Sequence, residues 1–128
     1  MMFHILIIDD TQATLNLFYD ILNREEFDLE LSSYEFENLN TIERLKPDLI
    51  ILDFMTEDRA KRWQLLQNLK MYRATASIPL IICTPSLNDV KEQKPFLSTK
   101  GIQIVLKPFD IDDLVKTVYQ VLELPATT

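Results

Sequence analysis

Four short apolar runs divide the chain, and a polar residue with useful chemistry directly follows each of them. The runs are Ile5–Ile8, Leu49–Leu52, Leu80–Cys83 and Ile102–Leu106. They consist mainly of Ile and Leu, a composition typical of parallel strands that helices cover on both faces. A further segment, Asp28–Ser32, alternates apolar and polar residues, which is typical of a strand at the edge of a sheet. The pattern therefore predicts four interior-type strands and one edge strand.

Stretches with helical spacing separate these strands, because apolar residues recur in them at intervals of three and four. The stripes are Leu15–Phe18–Tyr19–Leu22, Ile42–Leu45, Leu65–Leu66–Leu69–Tyr72, a weak one at Val90 with Phe96 or Leu97, and Ile111–Leu114–Val115–Val118–Leu122. Asp110 is placed to cap the last helix. With right-handed crossovers, this alternation predicts an α/β fold: a five-stranded, doubly wound parallel sheet in three α/β/α layers, with strand order 2-1-3-4-5.

Length and composition narrow the function classes. At 128 residues we expect one domain over residues 1–124, followed by a short tail at 125–128. The net charge of −7 disfavours direct binding of nucleic acid by this domain. The single cysteine, Cys83, lies in an apolar run, so a buried thiol is expected and no disulfide framework. We also expect no membrane span and no signal peptide, and hence a cytoplasmic protein.

The polar residues after the apolar runs form the candidate site. They are Asp9 with Asp10, Asp53, Thr84 and Lys107. In an open parallel sheet, ligands bind just beyond the carboxyl ends of the strands, so these side chains are expected to meet in one crevice. Three carboxylates there would repel each other, and a divalent cation would relieve that repulsion. Mg²⁺ fits best, because it prefers oxygen ligands, whereas zinc would need more than the single histidine, His4, at the far end of its strand.

A carboxylate can attack a phosphoryl group and hold it as an aspartyl phosphate. The metal, the Lys107 ammonium and the Thr84 hydroxyl would then each take one phosphoryl oxygen. Each residue alone also has a plain structural explanation: an acid can cap a helix, Lys107 can be solvated, and Thr84 can bond to the backbone. Their joint occurrence, in order on successive strands, favours the chemical explanation.

These residues resemble the receiver domain of two-component response regulators, a flavodoxin-like fold, and the resemblance covers nearly the whole chain. It implies that Asp9 and Asp10 bind Mg²⁺, that Asp53 is the phospho-acceptor and metal ligand, and that Met55 supplies a backbone carbonyl to the metal. It further implies that Thr84 is the switch hydroxyl.

The resemblance also implies the remaining chemistry and the partners. Lys107 is the phosphate-binding lysine, with a cis bond to Pro108. A sensor histidine kinase, a phosphotransfer protein or a small phosphodonor supplies the phosphoryl group, and the surface around the last strand and last two helices then changes for an effector protein. Such a domain catalyses only its own phosphorylation and dephosphorylation and is not a conventional enzyme.

The chain departs from the family pattern at several positions. The family has a proline four residues after the acceptor and a glycine about eight after it, where this chain has Glu57 and Lys61. We interpret the charged segment Arg59–Arg62 mainly as a solvated loop and first helical turn. The alternative is that its cations attract an anionic phosphodonor or contact a partner, whereas Glu57 would hinder such a donor. Ile104 replaces the aromatic switch residue, and Pro85 follows Thr84 in place of a small residue. The loop around Gly101 is also shortened.

Three hypotheses remain open from the sequence. The leading one is a phosphorylatable receiver, expected to stand alone because the chain ends after the last helical stripe, and able to form a homodimer. A piece of a longer regulator with a C-terminal DNA-binding domain is also consistent with the sequence. The second is a degenerate receiver that acts as a phosphorylation-independent interaction or dimerisation module, which Ile104 and Pro85 favour. The third is a small Mg²⁺-dependent phosphatase, which ranks last because Met55 stands where a second acid is needed. A flavin site is disfavoured by the lack of a glycine-rich phosphate loop.

Overall fold

The computed structural model describes residues 2–9, 11–24, 26–32, 39–53, 59–85, 102–106 and 110–123, with the backbone alone for residues 59–61. The strands are β1 (Phe3–Ile8), β2 (Phe27–Ser32), β3 (Leu49–Asp53), β4 (Leu80–Thr84) and β5 (Ile102–Leu106). The helices in the described residues are α1 (Gln12–Leu22), α2 (Leu39–Leu45), α3 (Arg59–Met71) and α4 (Ile111–Val121).

All neighbouring strands pair in parallel, and the order across the sheet is β2-β1-β3-β4-β5. The predicted fold class and strand order are therefore confirmed. Every residue of β3 and β4 is buried, whereas β2 and β5 each have exposed residues. The alternating pattern of β2 thus marks an edge strand, as predicted.

Two apolar cores cover the two faces of the sheet. Alternate strand residues point to opposite faces, so Ile7 and Ile51 pack with α1 and α4, while Ile8 and Leu52 pack with α2 and α3. The result is the predicted three-layer arrangement. Cys83 is buried in the first of these cores, as predicted.

The helical stripes are confirmed with local exceptions. Tyr19 and Ile111 belong to the predicted apolar stripes but are 42% and 53% exposed. The buried face of α1 consists of Leu15, Phe18, Ile21 and Leu22, and Tyr19 lies beside this face and turns toward solvent. Tyr72 lies just beyond the end of α3 rather than inside it. The weak stripe around Val90 lies outside the described residues.

Helix α4 begins at the predicted cap. The side chain of Asp110 accepts a hydrogen bond from the backbone N–H of Asp112 at 3.2 Å. Asp112 and Asp113 occupy the first turn, where negative charge is favourable next to the positive end of the helix dipole. This cap fixes the path of the chain just after the segment that holds Lys107.

Candidate functional site at the carboxyl edge of the sheet

The register of the strands brings three predicted site residues together. Ile8 lies opposite Leu52 on the neighbouring strand, so Asp9 continues β1 beside Asp53, the last residue of β3. Asp53 lies opposite Cys83, and Thr84 is the next residue of β4. Neighbouring strands lie about 4.8 Å apart. The two carboxylates and the hydroxyl therefore share one edge of the sheet.

All three side chains are withdrawn from water. Asp9, Asp53 and Thr84 are each 0% exposed. Burying a carboxylate is costly unless it is hydrogen-bonded, paired or bound to a metal. Two such groups on adjacent strand ends form a concentrated negative charge beneath the surface, and this arrangement attracts a cation.

The carboxylate of Asp9 has one oxygen engaged and one available. Oδ1 accepts a hydrogen bond from the backbone N–H of Thr11 at 2.9 Å, just before α1 begins. Oδ2 is buried and has no hydrogen-bond partner among the residues that the structure describes. Asp9 therefore accepts a hydrogen bond next to the start of α1, as expected of an acid that precedes a helix. The other oxygen fits a metal ligand, since carboxylate oxygens are the ligands that Mg²⁺ prefers.

Three of the predicted site residues, Asp10, Met55 and Lys107, lie outside the described residues, and so do Glu57, Pro108 and Gly101. Among the residues that are described, no group of three or more His, Cys, Asp or Glu side chains is positioned to hold a metal. The roles of Asp10, Met55 and Lys107 stay predictions.

One interpretation from the sequence is wrong for Arg62. We expected it to be solvated with its charged neighbours, but its side chain is only 2% exposed. Arg62 precedes the buried residues Leu66 and Leu69 by four and seven positions, which places it on the face of α3 that packs against the sheet. That spacing is the signal that could have identified it. The positive charge of Arg62 instead favoured an exposed position, because arginine is rarely found fully buried.

The other departures from the family pattern are placed as follows. Ile104 is partly buried and packs against the α2–α3 core, while Pro85 is exposed directly after Thr84. Leu106 at the end of β5 and Ile111 at the start of α4 are 45% and 53% exposed. The end of the sheet next to the site thus presents exposed apolar side chains.

His4 lies at the opposite end of β1, as predicted, and its Nδ1 is 3.0 Å from Asp28 Oδ2. Its position excludes it from the site.

Among the described helices, none is long and apolar enough to cross a lipid bilayer.

Comparison with known proteins agrees with this arrangement. Residues 5–119 match the family model described as the response regulator receiver domain. Among curated proteins, the DNA-binding response regulator MtrA of Mycolicibacterium smegmatis is 25% identical over 114 residues, covering 89% of this chain and 48% of that protein. The chain thus spans about half the length of this relative.

Solved structures show the same fold. The chemotaxis response regulator CheY4 of Vibrio cholerae has a TM-score of 0.75 at 21% identity, with 94% of this chain and 99% of that chain covered. A CheY-like response regulator receiver domain protein from Methanospirillum hungatei has a TM-score of 0.76 at 25% identity, with 96% and 95% covered.

Proposed function

Since the chain belongs to the response regulator receiver domain family, we propose that Asp53 accepts a phosphoryl group in a Mg²⁺-dependent reaction. The observation that carries the proposal is the pair of fully buried carboxylates, Asp9 and Asp53, on adjacent strand ends with Thr84 on the next strand. Receiver domains work with kinases and effectors. Here the proposed donor is a sensor histidine kinase, a phosphotransfer protein or a small phosphodonor.

The metal would be held by Asp9 through its available Oδ2, by Asp53 and, as the family pattern implies, by Asp10 and the Met55 carbonyl. When bound, Mg²⁺ would neutralise charge on the carboxylates and the incoming phosphoryl oxygens. The fit rests on the buried oxygen of Asp9, which has no hydrogen-bond partner within the described part of the chain.

The transfer is a displacement at phosphorus. An oxygen of the Asp53 carboxylate forms the new bond to phosphorus, the bond from phosphorus to the donor breaks, and the donor leaves with that electron pair. Lys107 and the Thr84 hydroxyl then bind phosphoryl oxygens. Hydrolysis of the acyl phosphate by water returns Asp53 to its starting state. The domain in this proposal acts on itself, so it is a switch rather than a conventional enzyme.

The output follows from Thr84. Its hydroxyl is buried at the end of β4 beside β5, where Leu106 is exposed. Movement of Thr84 toward the phosphoryl group would shift a pre-existing equilibrium between two arrangements of this surface. Ile104 has no ring to reorient, so we propose that the apolar surface at Leu106 and Ile111 itself carries the signal to an effector protein.

Intact mass after incubation with acetyl phosphate and Mg²⁺ tests this proposal. We expect the parent protein to gain one phosphoryl group and Asp53→Asn to gain none. Asp20→Asn, an exposed acid on α1, is the matched control and should gain one like the parent. Phosphorylation of folded Asp53→Asn at the parent rate would contradict the assignment of Asp53 as the phospho-acceptor. If the folded parent gains nothing and does not bind Mg²⁺, the phosphorylation-independent interaction module is the better description.

A further inference from the structure

Thr11 is the N-cap residue of α1 and has an extended backbone, with φ −109° and ψ 133°. A threonine at this position ordinarily caps its helix, because its hydroxyl oxygen accepts a hydrogen bond from a backbone N–H of the first turn. The side chain of Thr11 makes no such bond. Its Oγ1 lies instead 2.7 Å from Thr14 Oγ1 and 3.4 Å from Asp9 Oδ1. The Thr11 hydroxyl therefore contacts the candidate site rather than capping the helix.

The two contacts of the Thr11 hydroxyl determine which group donates. Thr11 has one hydroxyl proton, an ionised Asp9 can only accept, and the Thr14 hydroxyl can donate or accept. Both contacts are hydrogen bonds at the same time when Thr11 donates to Asp9 and Thr14 donates to Thr11. The two hydroxyls thus form a chain of donors that ends on Oδ1 of Asp9.

This chain adds a second donor to one oxygen of the Asp9 carboxylate. Oδ1 accepts the backbone N–H of Thr11 at 2.9 Å and the Thr11 hydroxyl at 3.4 Å. Two donors on one oxygen restrict rotation of the carboxylate about its Cβ–Cγ bond more than one donor does. Oδ2 is buried without a hydrogen-bond partner among the described residues, so it is the oxygen left for a ligand.

From this geometry we infer that Thr11 is a positioning residue for Mg²⁺ binding and that Thr14 acts through it. The two hydroxyls hold the Asp9 carboxylate so that Oδ2 meets the metal without reorienting. A donor on Oδ1 also withdraws negative charge from the carboxylate, which opposes this effect. Orientation is expected to prevail, because removing the hydrogen-bond partners of metal ligands generally weakens metal binding. The inference rests on the proposed function in one respect, namely that Asp9 is a Mg²⁺ ligand.

Calorimetric titration with Mg²⁺ at constant ionic strength is the first test. Thr11→Val keeps the shape of an exposed side chain and removes its hydroxyl, so we expect Mg²⁺ to bind about fivefold more weakly than to the parent. Thr11→Ser keeps the hydroxyl and should bind Mg²⁺ like the parent. Unchanged or higher affinity in folded Thr11→Val, which a purely structural role predicts, would overturn the inference.

Thr117→Val is the matched control for this titration. The Thr117 hydroxyl also makes a local hydrogen bond, since it donates to the backbone carbonyl of Asp113 at 2.8 Å within α4. Its removal should leave Mg²⁺ affinity unchanged. Equal weakening in Thr117→Val and Thr11→Val would refute a specific role of Thr11.

Thr14→Val tests whether the second hydroxyl acts through the first. We expect about twofold weaker Mg²⁺ binding, because the Thr11 hydroxyl loses the donor that polarises it. In the Thr11→Val background the same substitution should have no further effect. No effect in the parent, or independent effects that multiply in the double variant, would refute the chain of donors.

Unfolding by urea in EDTA tests the contact with Asp9 without any metal. Thr11→Val is measured in the parent and in Asp9→Ala, which lacks the acceptor. We expect the increase in the unfolding equilibrium constant to be about fivefold larger in the parent than in Asp9→Ala. Equal increases in both backgrounds would refute the hydrogen bond between Thr11 and Asp9.

The two experiments separate failure of the inference from failure of the proposed function. If the parent binds Mg²⁺ and Thr11→Val binds it equally well, the inference fails and the metal site stands. If the parent does not bind Mg²⁺, the metal part of the proposed function fails, and positioning for Mg²⁺ fails with it. The urea experiment then decides whether Thr11 holds Asp9.

Discussion

The sheet has an amino edge, where its strands begin, and a carboxyl edge, where they end. Both edges carry acidic side chains, which are exposed at the amino edge and buried at the carboxyl edge. At the amino edge, His4 Nδ1 lies 3.0 Å from Asp28 Oδ2 with side chains 53% and 55% exposed, and Asp48 Oδ2 accepts a hydrogen bond from the backbone N–H of His4 at 2.8 Å. At the carboxyl edge, Asp9 and Asp53 are 0% exposed. Exposed pairs contribute little to stability, whereas buried carboxylates are costly and indicate a chemical role.

The shape of the surface alone would suggest a binding site at the amino edge, away from the candidate site. A cavity of about 260 Å³ lies at the amino edge, bordered by His4, Asp28 and Arg44 among other residues. The His4 and Asp28 side chains there are exposed and already contact each other, so they have little to gain from a ligand. The carboxyl edge is distinguished by the buried carboxylates of Asp9 and Asp53, so substitutions at the two edges should change different properties.

The largest expected effect is on stability, at the amino edge. Lys70→Met removes the donor to the Ala76 and Ile78 carbonyls, which then lack a partner in a partly buried turn. We expect the free energy of unfolding to fall by about 2 kcal/mol, with no change in Mg²⁺ affinity. Urea unfolding and a Mg²⁺ titration measure the two quantities. Lys116→Met, an exposed lysine on α4, is the control, and an equal loss in both variants would contradict the assignment.

The second effect is on ligand binding, at the carboxyl edge. Asp9→Asn keeps an oxygen for the Thr11 N–H but removes a negative charge from the pocket. We expect Mg²⁺ affinity to fall by about tenfold or more. The free energy of unfolding in EDTA should stay the same or rise, because a buried charge has been removed.

Asp28→Asn at the amino edge is the matched acid for this experiment. It should leave Mg²⁺ affinity unchanged, since its carboxylate lies at the other end of the strands. If Asp28→Asn weakened Mg²⁺ binding as much as Asp9→Asn, the distinction between the two edges would fail.

The sequence predicts those parts of this molecule that depend on local pattern. Unbroken apolar runs identify β3 and β4 because parallel strands are buried on both faces, and the order of the runs brings Asp9, Asp53 and Thr84 to one edge. The burial of Arg62 was missed, because it depends on how α3 packs against the sheet.

The exposure of Tyr19 was missed for a related reason. Apolar spacing identifies a helical stripe but does not fix where its buried part ends, and α1 buries Ile21 and Leu22 but not Tyr19. What could not be predicted is therefore set by tertiary contacts, whereas the position of the site is set by strand order.

A smaller effect is expected where α2 ends. Lys46 has a φ of 48°, in the left-handed region that favours glycine, and its N–H donates to the Ile42 carbonyl at 3.2 Å. We expect Lys46→Gly to raise the free energy of unfolding by about 0.5–1 kcal/mol without changing Mg²⁺ affinity. Arg44→Gly, within the last turn of α2, should lower it by about 1 kcal/mol. Destabilisation by both substitutions would contradict the backbone argument.

The smallest effect concerns Tyr72, which links the end of α3 to α2. Its hydroxyl donates to Glu43 Oε2 at 2.9 Å and lies 3.0 Å from Asn40 Oδ1. The hydrogen bond to Glu43, with partial desolvation and the charge of Glu43, raises the pKa of Tyr72 above its ordinary value of 10.0. The folded state therefore retains the phenol proton more strongly than the unfolded chain does, so this stabilisation is complete below pH 10 and declines as pH rises through the raised pKa.

Tyr72→Phe should accordingly lower stability slightly at pH 7, and its difference from the parent should shrink at alkaline pH. Glu43→Gln keeps an acceptor for the hydroxyl but removes the charge, so it should reduce this pH dependence while costing less stability at pH 7. Urea unfolding of the three proteins between pH 7 and strongly alkaline pH measures both trends. A difference that grows with pH would contradict the hydrogen bond as the cause. The contact is solvated and lies away from the carboxyl edge, so neither substitution should alter phosphorylation of Asp53. Substitutions near the amino edge would then change stability alone, whereas those at the carboxyl edge change the reaction.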